Sequence, residues 1–335
     1  MSNTASFSAI ADSVMAQLEK AKSENSERFI GQNTVVDLSI AAILSGGHAL
    51  LVGVPGLGKT RLVETLGTVM GLATKRVQFT PDLMPSDILG SEVLETGGDG
   101  TRQFKFIEGP IFCELLMADE INRASPRTQS ALLQAMQEKQ VSVAGETRDL
   151  SPPFHVLATQ NPIEQEGTYP LPEAQLDRFL AQINISYPDI STEQNILLAT
   201  TGYEQATAAK VFDPEQLIVA QELIRRMPVG ESTVAFILKL VRALRPEDET
   251  ASSAVKDAIA WGPGTRAAQA LMLMCRAWAL LNGNLVPSVG DVVAVSHAVI
   301  AHRMSLRFTA QARGLSINQI ISETIDGLDR TGMAA

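Results

Sequence analysis

The amino-acid sequence predicts a parallel α/β sheet followed by a smaller, all-helical domain. From residue 28 to about 186, short apolar segments alternate with segments of helical periodicity, as a parallel sheet covered by helices requires. After Pro188 the strand signals end, and residues 191–335 read as almost entirely helical. Because single hydrophobic cores stop growing near ~250–300 residues, a chain of 335 residues has room for both units.

Five short apolar segments are the predicted core strands. They are Ala49–Val52, Lys75–Phe79, Glu114–Ala118, His155–Thr159 and Leu180–Ile185. The first, third and fourth each run into polar residues at their carboxyl ends. In an open α/β sheet, ligands bind at the edge formed by the carboxyl ends of the strands. The sequence therefore predicts a ligand site at that edge.

Other segments lie outside this alternation. Four apolar residues at helical spacing predict an amphipathic N-terminal helix; they are Phe7, Ile10, Val14 and Leu18. Residues 91–108 and 140–153 each predict a hairpin, the first with a Gly-rich tip at Gly97–Thr101. Each hairpin is read either as an ordinary surface element or as a contact for a partner. The expected units are an N-terminal helix at 1–27, an α/β core at 28–188 and a helical lid at 189–335.

Composition and charge narrow the class of protein. The net charge is −10, which argues against a general surface for phosphate backbones, so no nucleic-acid partner is expected. Cys113 and Cys275 lie in apolar segments and are read as buried thiols of a reducing compartment. Residues 1–28 lack the apolar region of a signal peptide, and the most apolar helical segment, Ala267–Leu281, is too short to cross a bilayer. We therefore expect a cytoplasmic protein without a membrane span.

The segment after the first strand is the most informative pattern in the chain. It reads Gly53-Val54-Pro55-Gly56-Leu57-Gly58-Lys59-Thr60, which has the form G-x-x-x-x-G-K-T of a P-loop. Its glycines let backbone N–H groups curl around phosphate oxygens, and the following helix directs its positive end at the same anion. Lys59 is predicted to reach the β- and γ-phosphates of a nucleotide, and Thr60 to bind Mg²⁺. The alternative, a chance Gly-rich turn, is disfavoured by the strand before it and the helix-forming residues from Arg61 onward.

Two further strand ends carry residues that could act on a nucleotide. The third strand is followed by Asp119 and Glu120, which are predicted to hold Mg²⁺ and to polarise the attacking water, respectively. After the fourth strand, Asn161 is predicted to orient that water near the γ-phosphate. The alternatives are two solvated acids at a strand tip and a turn-forming Asn before Pro162. The paired acids favour hydrolysis over binding alone.

The order of these motifs resembles that of the AAA+ ATPases. The P-loop, the strand ending in Asp-Glu and the strand ending in Asn are followed by Leu176-Asp177-Arg178-Phe179. Four longer strings look like the MoxR family in particular; they are Gln78–Asp87, Ala118–Ala124, Ala158–Pro162 and Pro170–Phe179. This resemblance covers roughly residues 28–335. It implies an AAA+ P-loop NTPase core whose parallel sheet has the order 5-1-4-3-2, a C-terminal all-α lid, and assembly into rings, usually hexamers.

The resemblance also implies roles for two arginines. Arg178 matches the arginine finger, which would reach the γ-phosphate held by a neighbouring subunit. The alternative is a surface arginine paired with Asp177 or Glu173. Arg266 matches the sensor 2 arginine and is expected to touch the nucleotide of its own subunit. Its surroundings, Gly262–Ala267, depart slightly from the family pattern.

The remaining site residues follow from the same resemblance. The residues expected to bind nucleotide are Ile30, Gly31, Gln32, Gly53, Pro55, Gly56, Leu57, Gly58, Lys59, Thr60, Arg61 and Arg266, of which the first three align with the adenine-contacting segment. Arg123 is read with equal weight as an interface residue or a catalytic one. The two hairpins fall where the family's clade carries a helix-2 insert and a pre-sensor-1 hairpin. That position favours contact with a partner.

The function implied by the resemblance is Mg²⁺-dependent hydrolysis of ATP by a ring that remodels or activates a protein client. Members of the family are associated with partners that carry a von Willebrand A domain. One alternative is a nucleic-acid motor related to replicative helicases, which the acidity of the chain disfavours. That motor would use the positive residues on or near the hairpins, which are Arg102, Lys105, Lys139 and Arg148. A second alternative, a slowly cycling nucleotide-gated scaffold, is disfavoured by the intact water-activating acid Glu120.

Overall fold

The computed structural model of the chain describes residues 2–96, 102–163, 167–201 and 208–332. The predicted tip of the first hairpin, Gly97–Thr101, lies outside these residues. Eleven strands are present in the described ranges: β1 (Ala49–Val52), β2 (Thr74–Gln78), β3 (Gly90–Thr96), β4 (Arg102–Glu108), β5 (Leu115–Asp119), β6 (Gln140–Val143), β7 (Glu146–Asp149), β8 (His155–Gln160), β9 (Ala181–Asn184), β10 (Ile259–Trp261) and β11 (Ser305–Leu306).

Fourteen α-helices accompany these strands in the same ranges. They are α1 (Ser2–Ser26), α2 (Asn33–Leu44), α3 (Lys59–Val69), α4 (Pro85–Leu89), α5 (Pro126–Glu138), α6 (Glu173–Leu176), α7 (Ile190–Thr201), α8 (Pro214–Arg226), α9 (Glu231–Ala243), α10 (Ser253–Ala258), α11 (Thr265–Leu281), α12 (Val289–Ile300), α13 (Phe308–Ala312) and α14 (Ile317–Gly332). Short 3₁₀ helices follow β5 at Ile121–Arg123 and α12 at Ala301–Arg303. None of the helices in the described ranges combines the length and apolarity needed to cross a bilayer.

The central sheet has five strands in the order β2-β5-β8-β1-β9, and every neighbouring pair is parallel. Counting only these strands along the chain, the order is 2-3-4-1-5, so the predicted order 5-1-4-3-2 is confirmed. β1 has its predicted bounds, and the other four strands differ by one residue at one or both ends. All five carboxyl ends therefore meet at one edge of the sheet, as predicted.

Alternating residues of the three central strands, β1, β5 and β8, enter two different cores. In β5, Leu115 and Met117 pack on one face of the sheet, whereas Leu116 and Ala118 pack on the other. The helical C-terminal region shares the first of these cores, since α11 packs against α2 and α12 against β9. Burial on both faces explains why these strands are apolar without polar alternation. It also fixes the lid against one face of the sheet.

The N-terminal helix α1 is part of this assembly and packs against α2, α3 and α8. Its buried apolar residues are Ala11, Val14, Leu18 and Ala21. The prediction for Ile10 was wrong, because its side chain is 39% exposed and Ala11 occupies the buried position instead. The buried stripe passes through residues 7, 11, 14, 18 and 21. Its alternating steps of four and three residues follow one helix face more closely than the predicted set of residues 7, 10, 14 and 18 does.

Two features modify the predicted outline of the chain. Both hairpins form, as β3–β4 and β6–β7, and the second turns at Ala144 and Gly145, which both have positive φ. The C-terminal region is not purely helical, because β10 and β11 form a short antiparallel pair. This pair joins the segment before α11 to the segment after α12, and its Ile259 is fully buried.

Two buried histidines give the fold a testable dependence on pH. Burial lowers the pKa of His48 to about 3 and that of His155 to about 4. In the unfolded chain both residues take up protons below pH ~6.5, while the native state stays neutral, so acid destabilises the fold. We expect His155→Gln to reduce the pH slope of the unfolding free energy by about 1.1 kcal/mol per pH unit between about pH 5 and pH 6. Urea unfolding over this range measures the slope, and an unchanged slope would contradict the prediction.

Candidate nucleotide-binding site

The P-loop joins β1 to α3 at the carboxyl edge of the sheet. Its first glycine, Gly53, lies so close to the neighbouring backbone that a Cβ there would come within 2.7 Å of the Ile185 carbonyl oxygen. Gly58 has a φ of +73° and directly precedes α3, whose first residue is Lys59. A side chain is therefore excluded by contact at one position and by backbone conformation at the other. The free N–H groups at the start of α3 face the loop, which is the arrangement that binds phosphate.

A cavity of about 520 Å³ opens beside this loop. Of the predicted residues, Ile30, Gln32, Pro55, Gly56, Leu57, Gly58 and Arg61 line it. Gly31 does not line the cavity, but a Cβ at this residue would come within 2.2 Å of Thr192, so its role is to allow α7 to approach. The apolar part of the wall includes Phe29, Tyr187 and Leu197, which sequence reasoning did not identify. This volume and lining suit a nucleotide base and sugar.

Lys59 is held inside its own loop. Its Nζ donates hydrogen bonds to the carbonyl oxygens of Gly53 (2.6 Å) and Val54 (2.8 Å). Burial lowers the pKa of Lys59, and the nearby charges of Asp119 and Glu120 oppose that shift. The ammonium group thus lies at the carboxyl edge, within the field of the predicted Mg²⁺ ligand Asp119 and the predicted catalytic acid Glu120.

Thr159 joins the two acids to the neighbouring strand. Its buried hydroxyl donates to Asp119 Oδ1 (2.6 Å) and accepts from the backbone N–H of Glu120 (2.8 Å). Glu120 itself has a φ of +56°, an uncommon conformation for a residue with a side chain. One hydroxyl thereby holds the strand end that carries both carboxylates. The parallel pairing of β5 with β8 brings these residues together, and sequence reasoning missed Thr159.

Both acids are also paired with cationic or amide groups. Asp119 Oδ2 accepts from Arg76 Nη2 at 2.5 Å and from Arg76 Nε at 3.2 Å. Glu120 Oε2 accepts from Gln78 Nε2 at 2.7 Å and from Arg123 Nη1 at 2.9 Å. Arg76 and Gln78 belong to β2, which is distant from the two acids in the sequence, and sequence reasoning did not identify them. Arg123, which the sequence left open, forms an ion pair within its own chain.

Two more predicted residues lie at the same edge. Asn161 is buried just after β8, and its Oδ1 accepts from the backbone N–H of Ile163 at 3.2 Å, which is the turn geometry of the alternative interpretation. Thr60 is half-buried in the first turn of α3. The hydroxyl of Thr60 and the carboxylate of Asp119 are oxygen donors of the kind that Mg²⁺ prefers. No atom lies within 4 Å of the place that a Cβ of Gly56 would take, so the P-loop is open on that side.

The two predicted arginines lie at the opposite edge of the sheet. Leu180, directly before β9, donates from its backbone N–H to the carbonyl oxygen of His48, directly before β1. Arg178 and Arg266 line a cavity of about 290 Å³ beside this edge, and Arg266 Nη1 lies 3.3 Å from Asp177 Oδ2. The four residues of β1, with a rise of ~3.3 Å each, separate the two edges by about 13 Å.

Arg266 does not line the P-loop cavity of its own chain, where the sequence led us to expect a contact with nucleotide. Arg266 lies in the first turn of α11, which packs on α2 through the core shared by the lid and the sheet. That packing holds the start of α11 beside Asp177 and Arg178, away from the P-loop cavity. Asp177 is thus paired with Arg266, whereas the alternative interpretation paired it with Arg178.

Comparison with known proteins assigns the family. Residues 48–181 match the model of the ATPase family associated with various cellular activities (AAA), and residues 251–324 match that of the AAA lid domain. The chain is 39% identical to Chaperone MoxR1 of Mycobacterium tuberculosis, over 92% of this chain and 81% of that protein. The chain belongs to the MoxR family of AAA+ ATPases. It is also 30% identical to Protein MoxR of Methylorubrum extorquens, over 88% of this chain and 89% of that one.

A solved structure gives the same result for the fold of this MoxR-family chain. The crystal structure of a protein from Cytophaga hutchinsonii that has been assigned as an ATPase superposes with a TM-score of 0.89 at 36% identity. The match covers 97% of this chain and 98% of that one. It therefore includes both the AAA+ core and the helical lid.

Thr159 provides a test of how the acidic strand end is held. Thr159→Val keeps the shape of the side chain but leaves the Glu120 N–H without its acceptor and removes a hydrogen bond to Asp119. We expect the free energy of unfolding to fall by about 1–3 kcal/mol, the usual effect of leaving a buried polar group unpaired. Thr68→Val is the matched control, because the Thr68 hydroxyl is exposed and bonds only to Glu64 within α3. Equal losses in the two variants, measured by urea unfolding, would contradict this account.

Proposed function

We propose that this MoxR-family chain is a ring-forming, Mg²⁺-dependent ATPase that remodels or activates a protein client. The observation that supports it most strongly is the division of the predicted site between two edges of one sheet. Lys59, Asp119 and Glu120 lie at the carboxyl edge and Arg178 and Arg266 at the amino edge, and the length of β1, about 13 Å, separates the two edges. A complete site would then require two copies of the chain in head-to-tail contact. Head-to-tail contacts that close on themselves produce rings, and the family resemblance favours six subunits.

The residues at the carboxyl edge have distinct roles in this proposal. Lys59 leaves the carbonyl groups of its loop to bind the phosphates, and Thr60 and Asp119 supply oxygen ligands for Mg²⁺. Bound Mg²⁺ offsets the charge of the phosphates. Glu120 takes a proton from the attacking water through its carboxylate, and Asn161 orients that water. To bind Mg²⁺, Asp119 must release its contact with Arg76. To reach the attacking water, Glu120 must release its contacts with Gln78 and Arg123.

The amino edge would serve the site of the next subunit. A cation that reaches the γ-phosphate only on assembly stabilises the developing negative charge, and in other NTPases such an arginine is worth ~10³–10⁵ in turnover. We assign this role to Arg178. Because Arg266 shares a cavity with Arg178, we extend the same role to it and replace the expected contact within one subunit.

The client would bind at the hairpins. On the first hairpin, the cross-strand pair Leu94 and Phe104 is 53% and 71% exposed, respectively, on one face. The second hairpin contacts the first through Arg148, whose guanidinium lies 4.1 Å from the ring centre of Phe106. The chain then runs from β7 into β8, which ends beside Asn161. Binding of a client at the hairpins would therefore change the position of Asn161 at the carboxyl edge.

The class of client follows from the relatives and from charge. One relative is named a chaperone, which favours a protein client, and the family resemblance suggests a partner with a von Willebrand A domain. A net charge of −10 disfavours nucleic acid. The motor and scaffold alternatives have no such support.

The identity of the client class can be tested through stimulation of ATP hydrolysis. We expect a protein with a von Willebrand A domain from the same organism to raise the rate, and Leu94→Thr/Phe104→Thr to abolish this rise while basal hydrolysis stays within about twofold, since threonine keeps the strands. Gln103→Thr, on the opposite face of the hairpin, is the matched control. Strong stimulation by DNA that falls steeply with salt and is lost in the double variant would instead indicate a nucleic-acid motor.

Mixing of inactive variants tests whether the site is shared. Arg178→Ala and Lys59→Ala subunits should each be inactive alone, because one lacks the stabilising cation and the other the phosphate-binding ammonium. Mixed rings should recover part of the activity, since each subunit supplies what its neighbour lacks. We expect Arg266→Ala to behave as Arg178→Ala does. Absence of recovery despite co-assembly, shown by co-purification of differently tagged subunits, would contradict a shared site.

A further inference from the structure

The segment that carries Arg178 is held in place by one buried residue of the lid. Arg303 ends the 3₁₀ helix after α12, and its side chain is 2% exposed. Its guanidinium donates to groups on both sides of Arg178 in the chain. These are Asp177 Oδ1 from Nε (2.8 Å), Phe179 O from Nη2 (2.7 Å) and Leu180 O from Nη1 (3.2 Å).

The remaining donors of Arg303 are also used. Nη2 reaches Asp177 O at 3.4 Å, and Nη1 bonds to Val299 O within the lid. Because a guanidinium has five N–H groups, each one has an acceptor here. His302 adds a contact from its Nε2 to Phe179 O at 3.1 Å. The backbone around Arg178 thus takes its position from the lid rather than from the sheet alone.

Asp177 links this buried contact to the second arginine of the amino edge. Its Oδ1 binds Arg303 Nε, and its Oδ2 binds Arg266 Nη1 at 3.3 Å. The carboxylate is therefore shared between a fully buried cation and one that is 55% exposed. Arg266 lies in the first turn of α11 and Arg303 follows α12, so two separate elements of the lid converge on the segment from 177 to 180.

We propose that Arg303 is a positioning residue that sets Arg178 and Arg266 for use by the neighbouring subunit. This inference rests on the proposed sharing of the site between subunits. A planar fork that binds several acceptors at once can fix both the position and the direction of a loop, which a lysine ammonium cannot. Arg303 faces away from the P-loop cavity of its own chain, so its loss should spare nucleotide binding there. A misplacement of about 1 Å at a catalytic group can lower turnover by ~10²-fold.

Complementation between variants separates positioning from general support of the fold. Arg303→Met subunits should show turnover about 10²-fold below wild type. They should recover activity when mixed with Lys59→Ala subunits, which supply intact arginines to the P-loop of the Arg303→Met chain. They should not recover with Arg178→Ala subunits, because both then lack a usable arginine. A residue that merely stabilises the fold would show no such difference between the two mixtures.

Two controls accompany this experiment. Arg242→Met removes an exposed arginine of the lid that pairs with Asp248 and does not contact residues 177–180; it should keep wild-type turnover. Affinity for a fluorescent ATP analogue, measured on Arg303→Met subunits alone, should remain within about threefold of wild type. Should Arg303→Met fail to fold, Asp177→Asn tests the same link, since it keeps the size of the side chain and weakens its hold on both arginines; the same pattern of recovery is expected.

The outcomes are distinct. The reference is the mixture of Arg178→Ala and Lys59→Ala subunits, which must recover activity. Given that recovery, the positioning role of Arg303 is overturned if Arg303→Met subunits recover equally with Lys59→Ala and with Arg178→Ala subunits, or if they do not recover with Lys59→Ala subunits. If that reference mixture fails despite co-assembly, the proposed sharing of the site falls, and the role of Arg303 falls with it. Loss of nucleotide affinity in folded Arg303→Met subunits would show that the residue acts on its own P-loop.

Discussion

The common direction of the five core strands is the constraint on which the rest of the molecule depends. Parallel strands bring all their carboxyl ends to one edge and all their amino ends to the other. The P-loop and both acids follow carboxyl ends, whereas Arg178 precedes the amino end of β9. No change of side-chain rotamer can span a separation of about 13 Å. The separation of the predicted site residues between two edges is thus a property of the sheet, and Arg266 lies at the amino edge because the lid packs on one face of that sheet.

The electrostatics of the carboxyl edge follow from the same arrangement. Two carboxylates at adjacent positions would repel each other if left alone, and here each is bound by a cation from another element. Arg76 holds Asp119 from β2, Arg123 holds Glu120 from the following 3₁₀ helix, and Lys59 lies within the field of both. These ion pairs are partly exposed, so each contributes little to stability and can exchange at modest cost.

The sequence was sufficient for those features that depend on contiguous residues. The P-loop, the strand ending in Asp119 and Glu120, and the bounds of β1 follow from local patterns of apolar and polar residues. The order of the strands came from the family resemblance, since local patterns do not specify which strands are neighbours. The prediction that Ile10 lies on the buried face of α1 was wrong because several residue spacings are compatible with one helix face. Packing against α2 and α3 determines which of them is buried.

The rest of the site depends on contacts between distant segments. Arg76, Gln78 and Thr159 act on the acids only because β2, β5 and β8 are neighbours in one register. Arg266 carried a recognisable motif, yet its position depends on which face of the sheet the lid covers, and a motif does not encode that. No sequence motif pointed to Arg303. A fully buried arginine with an acceptor for each N–H is visible only once the fold is known.

The central claim is that the arginines of one subunit complete the nucleotide site of another. The most direct test is a cryo-EM structure of the Glu120→Gln variant assembled with ATP and Mg²⁺, in which the amide preserves the shape of the site but cannot take the proton. The account predicts Arg178 and Arg266 of one subunit against the γ-phosphate held by the P-loop of its neighbour, with Arg303 still bound to Asp177. A structure in which the lid has moved across the sheet, so that Arg266 reaches the nucleotide of its own chain, would contradict it.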